Sequence, residues 1–423
     1  MPASLAPPSP THVLGEKEFV ALMAMLMALQ ALAIDGMLPA IGQIAQDLGV
    51  TDPNRRQLIV GVFLVSAGFG ALVPGALDDR YGRRPILFVS LVAYIALSLA
   101  CALVTDFDAL LVLRSLQAIG SAGLSVLPGA IIRDRFAGDR MARMLSTISV
   151  VFMLVPILAP SVGQTVLLFA GWRWIFAVLA TMGVAIGTWA FLRLPETLDP
   201  AHRQPIHPAT IAINMGRAAV NRQAFGYVIG GALVFGALFG YINSAQQLVA
   251  EHFGVGEYFP LVFGGTAMSM AVASFTNSRI VERFGARRVS HAALFVYIAT
   301  AGLQLHFALL PHQTVWQFMP IMAFNICLIG FIGANFGSIS LQPFARTAGA
   351  ASSVQAFLRM VIGSGLGIVI GQAYDNSARP VAYALVGCGI ASLLLVLFSE
   401  NGKLFRRIHP RGAERPVAEV MMH

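Results

Sequence analysis

Long uncharged runs alternate with short polar breaks along this 423-residue chain. No charge falls between Leu58 and Leu77, and none between Pro85 and Thr105. Each run is long enough to cross about 30 Å of hydrocarbon as a helix. Runs of this kind predict twelve spans, at 19–44, 57–77, 85–105, 109–132, 144–169, 173–192, 224–250, 259–278, 289–310, 315–342, 348–371 and 380–399. The uncharged stretch Val289–Ala345 must be two of them, because Pro311-His-Gln-Thr314 breaks it. The expected architecture is all-α and integral to the membrane. A tail at 1–18 leads into a six-helix bundle over 19–192, and a second bundle covers 223–400. Between them lies a polar linker, 193–222, with Pro195, Pro200, Pro205 and Pro208, and a basic tail closes the chain at 401–423.

Composition supports this reading. Only 11% of residues are charged and 57% are hydrophobic, whereas a soluble domain carries about 25% charged residues. The net charge of +8 does not imply nucleic acid, because the basic residues are spread over the loops rather than gathered in one tract. Residues 1–18 lack a basic stretch and a small-residue cleavage site, so no cleavable signal peptide is apparent. Twelve spans place both termini on one side. With that side cytoplasmic, the inner loops hold Arg80, Arg83, Arg84, Arg133, Arg135, Arg279, Arg283 and many more. The outer loops hold only Arg55, Arg56, Arg173 and Arg379. Positive charge marks the cytoplasmic face, so both termini are expected inside, in a bacterial inner membrane. Cys101, Cys327 and Cys388 lie far apart in apolar spans and suggest neither a disulfide nor a metal site.

The loop between the second and third spans reads Gly75-Ala-Leu-Asp-Asp-Arg-Tyr-Gly-Arg-Arg-Pro85. Half a chain later, Glu282-Arg-Phe-Gly-Ala-Arg-Arg288 echoes its acid, arginine, aromatic and glycine in step. Internal repeats of helix bundles are how many secondary transporters are built. Gly75, Leu77, Asp79, Arg80, Gly82, Arg83 and Arg84 resemble the signature loop of the major facilitator superfamily. The resemblance implies that family's fold of two pseudo-symmetric six-helix bundles. It also implies a cytoplasmic latch, with Asp79 against the inner end of the eleventh span near Thr347–Ala351 and Arg83 paired to Asp134.

Three ionisable residues fall inside spans: Asp35, Arg114 and Arg359. Each costs about 2.5–3.5 kcal/mol on insertion scales and is a functional candidate for that reason. At about 1.5 Å per residue Asp35 lies roughly 24 Å from Phe19, in the outer half of the membrane. Pro39 leaves the Asp35 carbonyl without its helical donor, which weakens the helix beside the acid. Asp35 is therefore a proton-site candidate, the alternative being an acid tied permanently to one arginine. Arg114 lies about 7 Å below the outer surface, close to that depth, with Gln117 on the same helix face. Arg114-Ser-Leu-Gln-Ala-Ile-Gly120 resembles the family's fourth-helix motif, with Ala118 in place of a glycine. In the family that arginine is linked to proton coupling. Arg359 lies near mid-membrane with Gln355 one turn away, and it fits no motif. It could attract an anionic substrate, pair with an acid when the halves close, or bond backbone carbonyls.

In the fifth span, Pro156, Pro160 and Gly163 partly match the helix-5 motif linked to antiporters of the family, with Ala159 and Gln164 as departures. The alternative is a kinked structural helix. Together with Asp35-Gly-Met-Leu-Pro-Ala40 and Trp172-Arg-Trp-Ile-Phe176, this run resembles the bicyclomycin-resistance (Bcr/CflA) type of drug:proton antiporter. The resemblance implies a monomer. Expected cavity residues are Met37, Gln117, Phe152 and Pro156 in the first half, and Tyr241, Asn243, Gln246, Asn325, Gln355 and Arg359 in the second. A mostly apolar pocket with sparse polar groups suits amphipathic drugs.

The expected function is multidrug efflux by alternating access. Protons are the coupling ion, no other cofactor is implied, and the partners are a small hydrophobic drug and membrane lipid. The rival is an importer or facilitator of a small metabolite on the same fold. An intramembrane enzyme would need a nucleophile–base pair or paired acids at one depth, and the spans offer one aspartate and no well-placed His–Ser pair. Asp79→Asn is expected to loosen closure of the inner gate and to slow transport in vesicles; unchanged transport would remove Asp79 from the latch.

Overall fold

The protein is described here by a computed structural model covering residues 14–136, 138–198, 216, 221–344 and 348–406. The far ends of both tails, linker residues 199–215 and 217–220, and residues 137 and 345–347 lie outside the described residues. Every regular element among those described is helical. The chain divides into two compact units, Met1–His207 and Pro208–His423.

The first unit contains α1 (Glu16–Asp35), α2 (Ile41–Asp47), α3 (Leu58–Gly70), α4 (Pro74–Tyr81) and α5 (Arg83–Leu103). It continues with α6 (Phe107–Gly120), α7 (Gly123–Arg135), α8 (Gly138–Phe152), α9 (Val155–Phe169) and α10 (Arg173–Arg193). The second unit contains α11 (Arg222–Gln246), α12 (Phe259–Phe284), α13 (Ala286–Ala308), α14 (Val315–Leu341), α15 (Ala348–Gln372) and α16 (Arg379–Ser399). Polar side chains start several of these helices. Asp106 accepts from the Ala109 N–H at 2.8 Å ahead of α6. Thr314 and Gln317 form a reciprocal cap on α14, which satisfies donors that the first turn leaves free.

Eleven helical segments among the described residues are long and apolar enough to cross a membrane. The chain therefore makes many membrane passes, but the run expected at 57–77 is not one continuous helix. It breaks over residues 71–73 into α3 and α4. Pro74 has no N–H to give the Gly70 carbonyl, and the Val73 N–H turns to that carbonyl at 3.2 Å. Three other spans are interrupted as well. The first is broken after Asp35 by a single 3-10 turn, Leu38–Ala40, built on Pro39. The fourth turns at residues 121–122, and the fifth at residues 153–154, just ahead of Pro156.

In the first unit α1 is the central strut, packed against α7, α8, α9 and α10. Both of its ends are tied. The Glu18 carboxylate takes two N–H groups of Arg193, at 2.8 and 2.7 Å, and the Trp189 indole. At the far end of the same span, Asp47 accepts from the Trp172 indole at 2.8 Å. Trp172 is thus buried, and Trp174 is the exposed tryptophan of that segment.

In the second unit α11 is the strut, packed against α14, α15 and α16. Small residues allow this closeness. A Cβ added at Gly226 would lie 2.1 Å from the Leu395 carbonyl oxygen of α16, so the two backbones touch as membrane helices do at glycines. At Gly337 on α14, an added Cβ meets nothing within 4 Å. Gly226→Ala is expected to cost about 1–3 kcal/mol through forced separation of α11 and α16. Gly337→Ala should leave stability unchanged or raise it slightly. Thermal unfolding of the detergent-solubilised protein checks the pair; equal melting of the two variants would show that the α11–α16 approach is not limiting.

Candidate functional site

The break after Asp35 gathers the candidate chemistry of the first unit. Asp35 is the last residue of α1 and is only 8% exposed. Among the described residues it forms no ion pair. The break also frees carbonyls, because a helix end leaves its last four without donors. The Met37 N–H that would serve the Ala33 carbonyl points to Ile34 instead, at 3.4 Å. Arg114 takes the vacated place. Its Nη2 donates to the Ala33 oxygen at 2.8 Å, and its Nη1 donates to Gln117 Oε1 at 2.7 Å. The guanidinium carbon lies 4.2 Å from the centre of the Phe63 ring. Arg114 is wholly buried and has no acid partner among the described residues. A cation at a helix C-terminus is favoured by the helix dipole, and here the cation also replaces missing backbone donors. Arg114 is therefore bound to the backbone two residues before Asp35, not to the Asp35 carboxylate.

Gln117 is held from both ends. Its Nε2 donates to Ser98 Oγ at 2.7 Å, and Ser98 Oγ donates to the Tyr94 carbonyl at 2.6 Å. Tyr94 in turn donates to the Leu29 carbonyl on α1 at 2.9 Å. The result is a buried polar chain joining α1, α5 and α6. The fifth span closes the other side of the break. A Cβ at Gly163 would fall 2.0 Å from the Gly36 carbonyl oxygen. Gly163 therefore presses α9 directly onto the backbone beside Asp35. Pro160 and Ala159 are buried in that unit, while Phe152 and Pro156 are half-buried where α8 and α9 meet.

The signature loop forms a second cluster. Gly82 has φ +103°, a conformation that side chains rarely adopt. A Cβ there would also lie 2.5 Å from a Glu196 carboxylate oxygen. That carboxylate accepts the backbone N–H groups of Arg83 and Arg84, at 3.0 and 3.1 Å, and so caps α5. Arg83 Nε pairs with Asp134 at 3.0 Å, while its Nη1 lies 2.7 Å from Asp79 and 2.8 Å from Asp78. Thr197 donates to Asp134 at 3.1 Å. Arg84 donates to the Phe191 carbonyl at 2.8 Å, and Arg80 lies over the Tyr81 ring. Gly75 is within α4. Thr347, at one end of the segment expected to meet Asp79, lies outside the described residues.

The echo in the second unit keeps the glycine and alters the charges. Gly285 also has positive φ, +86°. Ala286 stands where Arg83 would, and Arg287 Nε pairs with Glu400 at 2.7 Å. Glu400 also accepts from the Tyr227 hydroxyl at 2.7 Å. Burial alone would raise the Glu400 acid, but the Tyr227 and Arg287 hydrogen bonds outweigh it and lower the acid's pKa. Asp78, Glu196 and Glu400 were missed in the sequence. The signal for the last two was available, because each follows directly on the last span of its half.

The structure places the expected cavity residues in two kinds of surroundings. Met37, Gln117, Tyr241, Asn243 and Asn325 are buried, and none of them, nor Gln246, lines the cavity that opens in the second unit. Gln117 is spent on Arg114 and Ser98. Tyr241 lies parallel to the Phe263 ring, and Asn325 accepts from Thr300 at 2.6 Å between α13 and α14. Gln117 and the Asn325 carbonyl oxygen thus join neighbouring helices, since a polar atom in an apolar bundle seeks a partner there first. Gln355 and Arg359 do line that cavity, which is about 210 Å³ and lies among α11, α14 and α15.

The sequence profile of the Major Facilitator Superfamily matches residues 21–371. The chain belongs to that superfamily. This major facilitator is 28% identical over 390 residues to a bicyclomycin resistance protein homolog of Haemophilus influenzae, covering 92% of this chain and 98% of that one. It is 30% identical over 378 residues to the multidrug resistance protein MdtL of Klebsiella pneumoniae, covering 88% and 93%. Among solved structures it resembles an inward-facing, occupied bacterial homolog of the human lysosomal transporter Spinster, with TM-score 0.69, 15% identity and coverage of 90% and 96%. It also resembles the peptide transporter POT in complex with sulfate, with TM-score 0.70, 15% identity and coverage of 90% and 94%. At such identities the structural likeness establishes the facilitator fold. The protein is a membrane transporter rather than an enzyme.

Asp78 lies in α4, just beyond the expected end of the second span, and supplies a pH signature. Burial raises its carboxyl to about 6, against the opposing pull of Arg83. The folded protein then holds more protons than the unfolded chain across that window. This contribution to stability is fully present below about pH 4 and is lost as pH rises through 6. Asp78→Asn should therefore flatten the fall in melting temperature between about pH 4 and pH 6. An unaltered slope would assign it to other groups.

Proposed function

We propose that this transporter exports hydrophobic or amphipathic small molecules across the bacterial cytoplasmic membrane in exchange for protons, with both termini in the cytoplasm. The observation that carries the reading is Asp35: a buried carboxyl with no ion pair among the described residues, at a helix break. The names of the bicyclomycin and multidrug resistance relatives support drugs as the substrate class.

The coupling follows from the cost of burying charge. An ionised carboxylate is expensive to enclose without a partner, and its protonated form is far less so. Closure over protonated Asp35 is thus favoured, and opening to water or arrival of a drug favours release of the proton. Arg114 holds the end of α1 in register through Ala33 while this happens, so its charge does not neutralise the acid. Gly163 permits the contact of α9 with the break, and the weakened backbone at Gly36 and Met37 serves as the hinge. A proton moving inward releases about 2.3 kcal/mol per 100 mV of membrane potential, enough for one or two protons to drive uphill export. The same residues would serve a proton symporter, so reversing the pH gradient in vesicles reads the direction.

The decisive experiment titrates purified protein in detergent with hydrophobic drugs and records the protons released on binding. Wild type should release protons and Asp35→Asn should release none while still binding drug. Drug binding without proton release in wild type would remove Asp35 from the mechanism.

A further inference from the structure

The cavity of the second unit lies among α11, α14 and α15. Its apolar walls include the rings of Phe235 and Phe336, and Gly231 and Gly337 leave room between them. Its polar end is made by Arg359, Gln355 and Ser340. Arg359 lies eleven residues into α15, about 16 Å along the helix, near the middle of a roughly 30 Å hydrocarbon layer. It is exposed within its helix face, and its guanidinium carbon stands 5.1 Å from the Phe235 ring centre. Among the described residues no carboxylate and no backbone carbonyl takes its N–H groups. A cation at this depth ordinarily has a partner.

The neighbouring groups are also donors. Gln355 is one turn from Arg359 on the same helix face. Its Oε1 accepts from Ser340 Oγ at 2.8 Å, which leaves its buried Nε2 without a partner. Among the described residues no aspartate or glutamate lines the cavity. The Glu400 carboxylate is already engaged by Tyr227 and Arg287. The cavity thus offers a planar, two-pronged cation, one further amide donor, and aromatic walls. A planar guanidinium matches the two oxygens of a carboxylate, and an aromatic body would meet Phe235 and Phe336.

We infer that this cavity is a substrate subsite for amphipathic aromatic acids, with Arg359 and Gln355 holding the carboxylate and Phe235 and Phe336 the ring. The inference deepens the proposed export function, on which it rests, by naming a substrate class. It assigns Arg359 a binding role that no family motif supplies.

The test is calorimetric titration of the full-length protein in lipid nanodiscs, with 2-naphthoate and its neutral counterpart 2-naphthamide. Wild type should bind the acid at least ten-fold more tightly than the amide. Arg359→Gln should erase that difference while leaving amide affinity in place. Gly337→Leu keeps the charge and projects into open space, so it should weaken both ligands. This second variant keeps the subsite testable if Arg359→Gln does not fold. Equal affinity for acid and amide in wild type, no binding of the acid, or undiminished acid selectivity in Arg359→Gln overturns the subsite. Binding is read without any gradient. Acid selectivity without drug-linked proton release would leave the subsite standing and sink the export reading. Proton release without acid selectivity would do the reverse.

Discussion

In hydrocarbon every backbone carbonyl needs a donor from the protein itself, because no water is there to supply one. This constraint organises the first unit. Pro39 denies a donor to the first span, and the α-helix ends at Asp35. The loose carbonyl at Ala33 is then taken by Arg114 from α6. The guanidinium is in turn held by Gln117, and Gln117 by Ser98 of α5. One helix break thus draws three helices together. The same break provides the flat backbone surface at Gly36 against which Gly163 seats α9. Asp35 is the one ionisable group at this junction whose charge is not consumed by the repair, and this is why it stands out as a candidate for exchange.

The two signature loops solve one geometric problem with different charges. Both need a glycine at positive φ, Gly82 and Gly285, to turn directly from one helix into the next. Both halves also bring an acid from the end of their last span to that turn. In the first half Glu196 caps the backbone of α5, while Arg83 gathers Asp78, Asp79 and Asp134. In the second half Ala286 has no charge to offer, and Glu400 engages Arg287 and Tyr227. The first loop concentrates acids on one arginine, and the second spreads its charge into the bundle wall. An internal repeat in sequence therefore does not carry an internal repeat in electrostatics.

Polar residues in the spans divide by what surrounds them. Gln117 and Asn335 are consumed by neighbours; Asn335, for example, donates to Asn277 at 2.7 Å. Gln355 and Arg359 keep donors free beside open space. From sequence these residues look alike, as polar groups at helical spacing in an apolar run. The difference is whether a facing helix presents an acceptor, and that depends on residues far away in the chain.

Some features were legible in the chain alone. Uncharged length set the spans, prolines marked where helices would be interrupted, and the loop motif pointed to the superfamily. These are local properties, decided by transfer of side chains into hydrocarbon and by the missing proline N–H. Pro74 is readable in the same terms, although the apolar length of the second span by itself predicts one continuous helix where the structure has two. Tertiary structure decided the rest. It placed Arg114 on a carbonyl of α1 and not on Asp35, brought Glu196 and Glu400 back to the loops, and set Gln117 against Ser98 and Asn325 against Thr300. The physical reason is that a buried polar group takes the nearest partner in space, and only the packed helices determine which group that is.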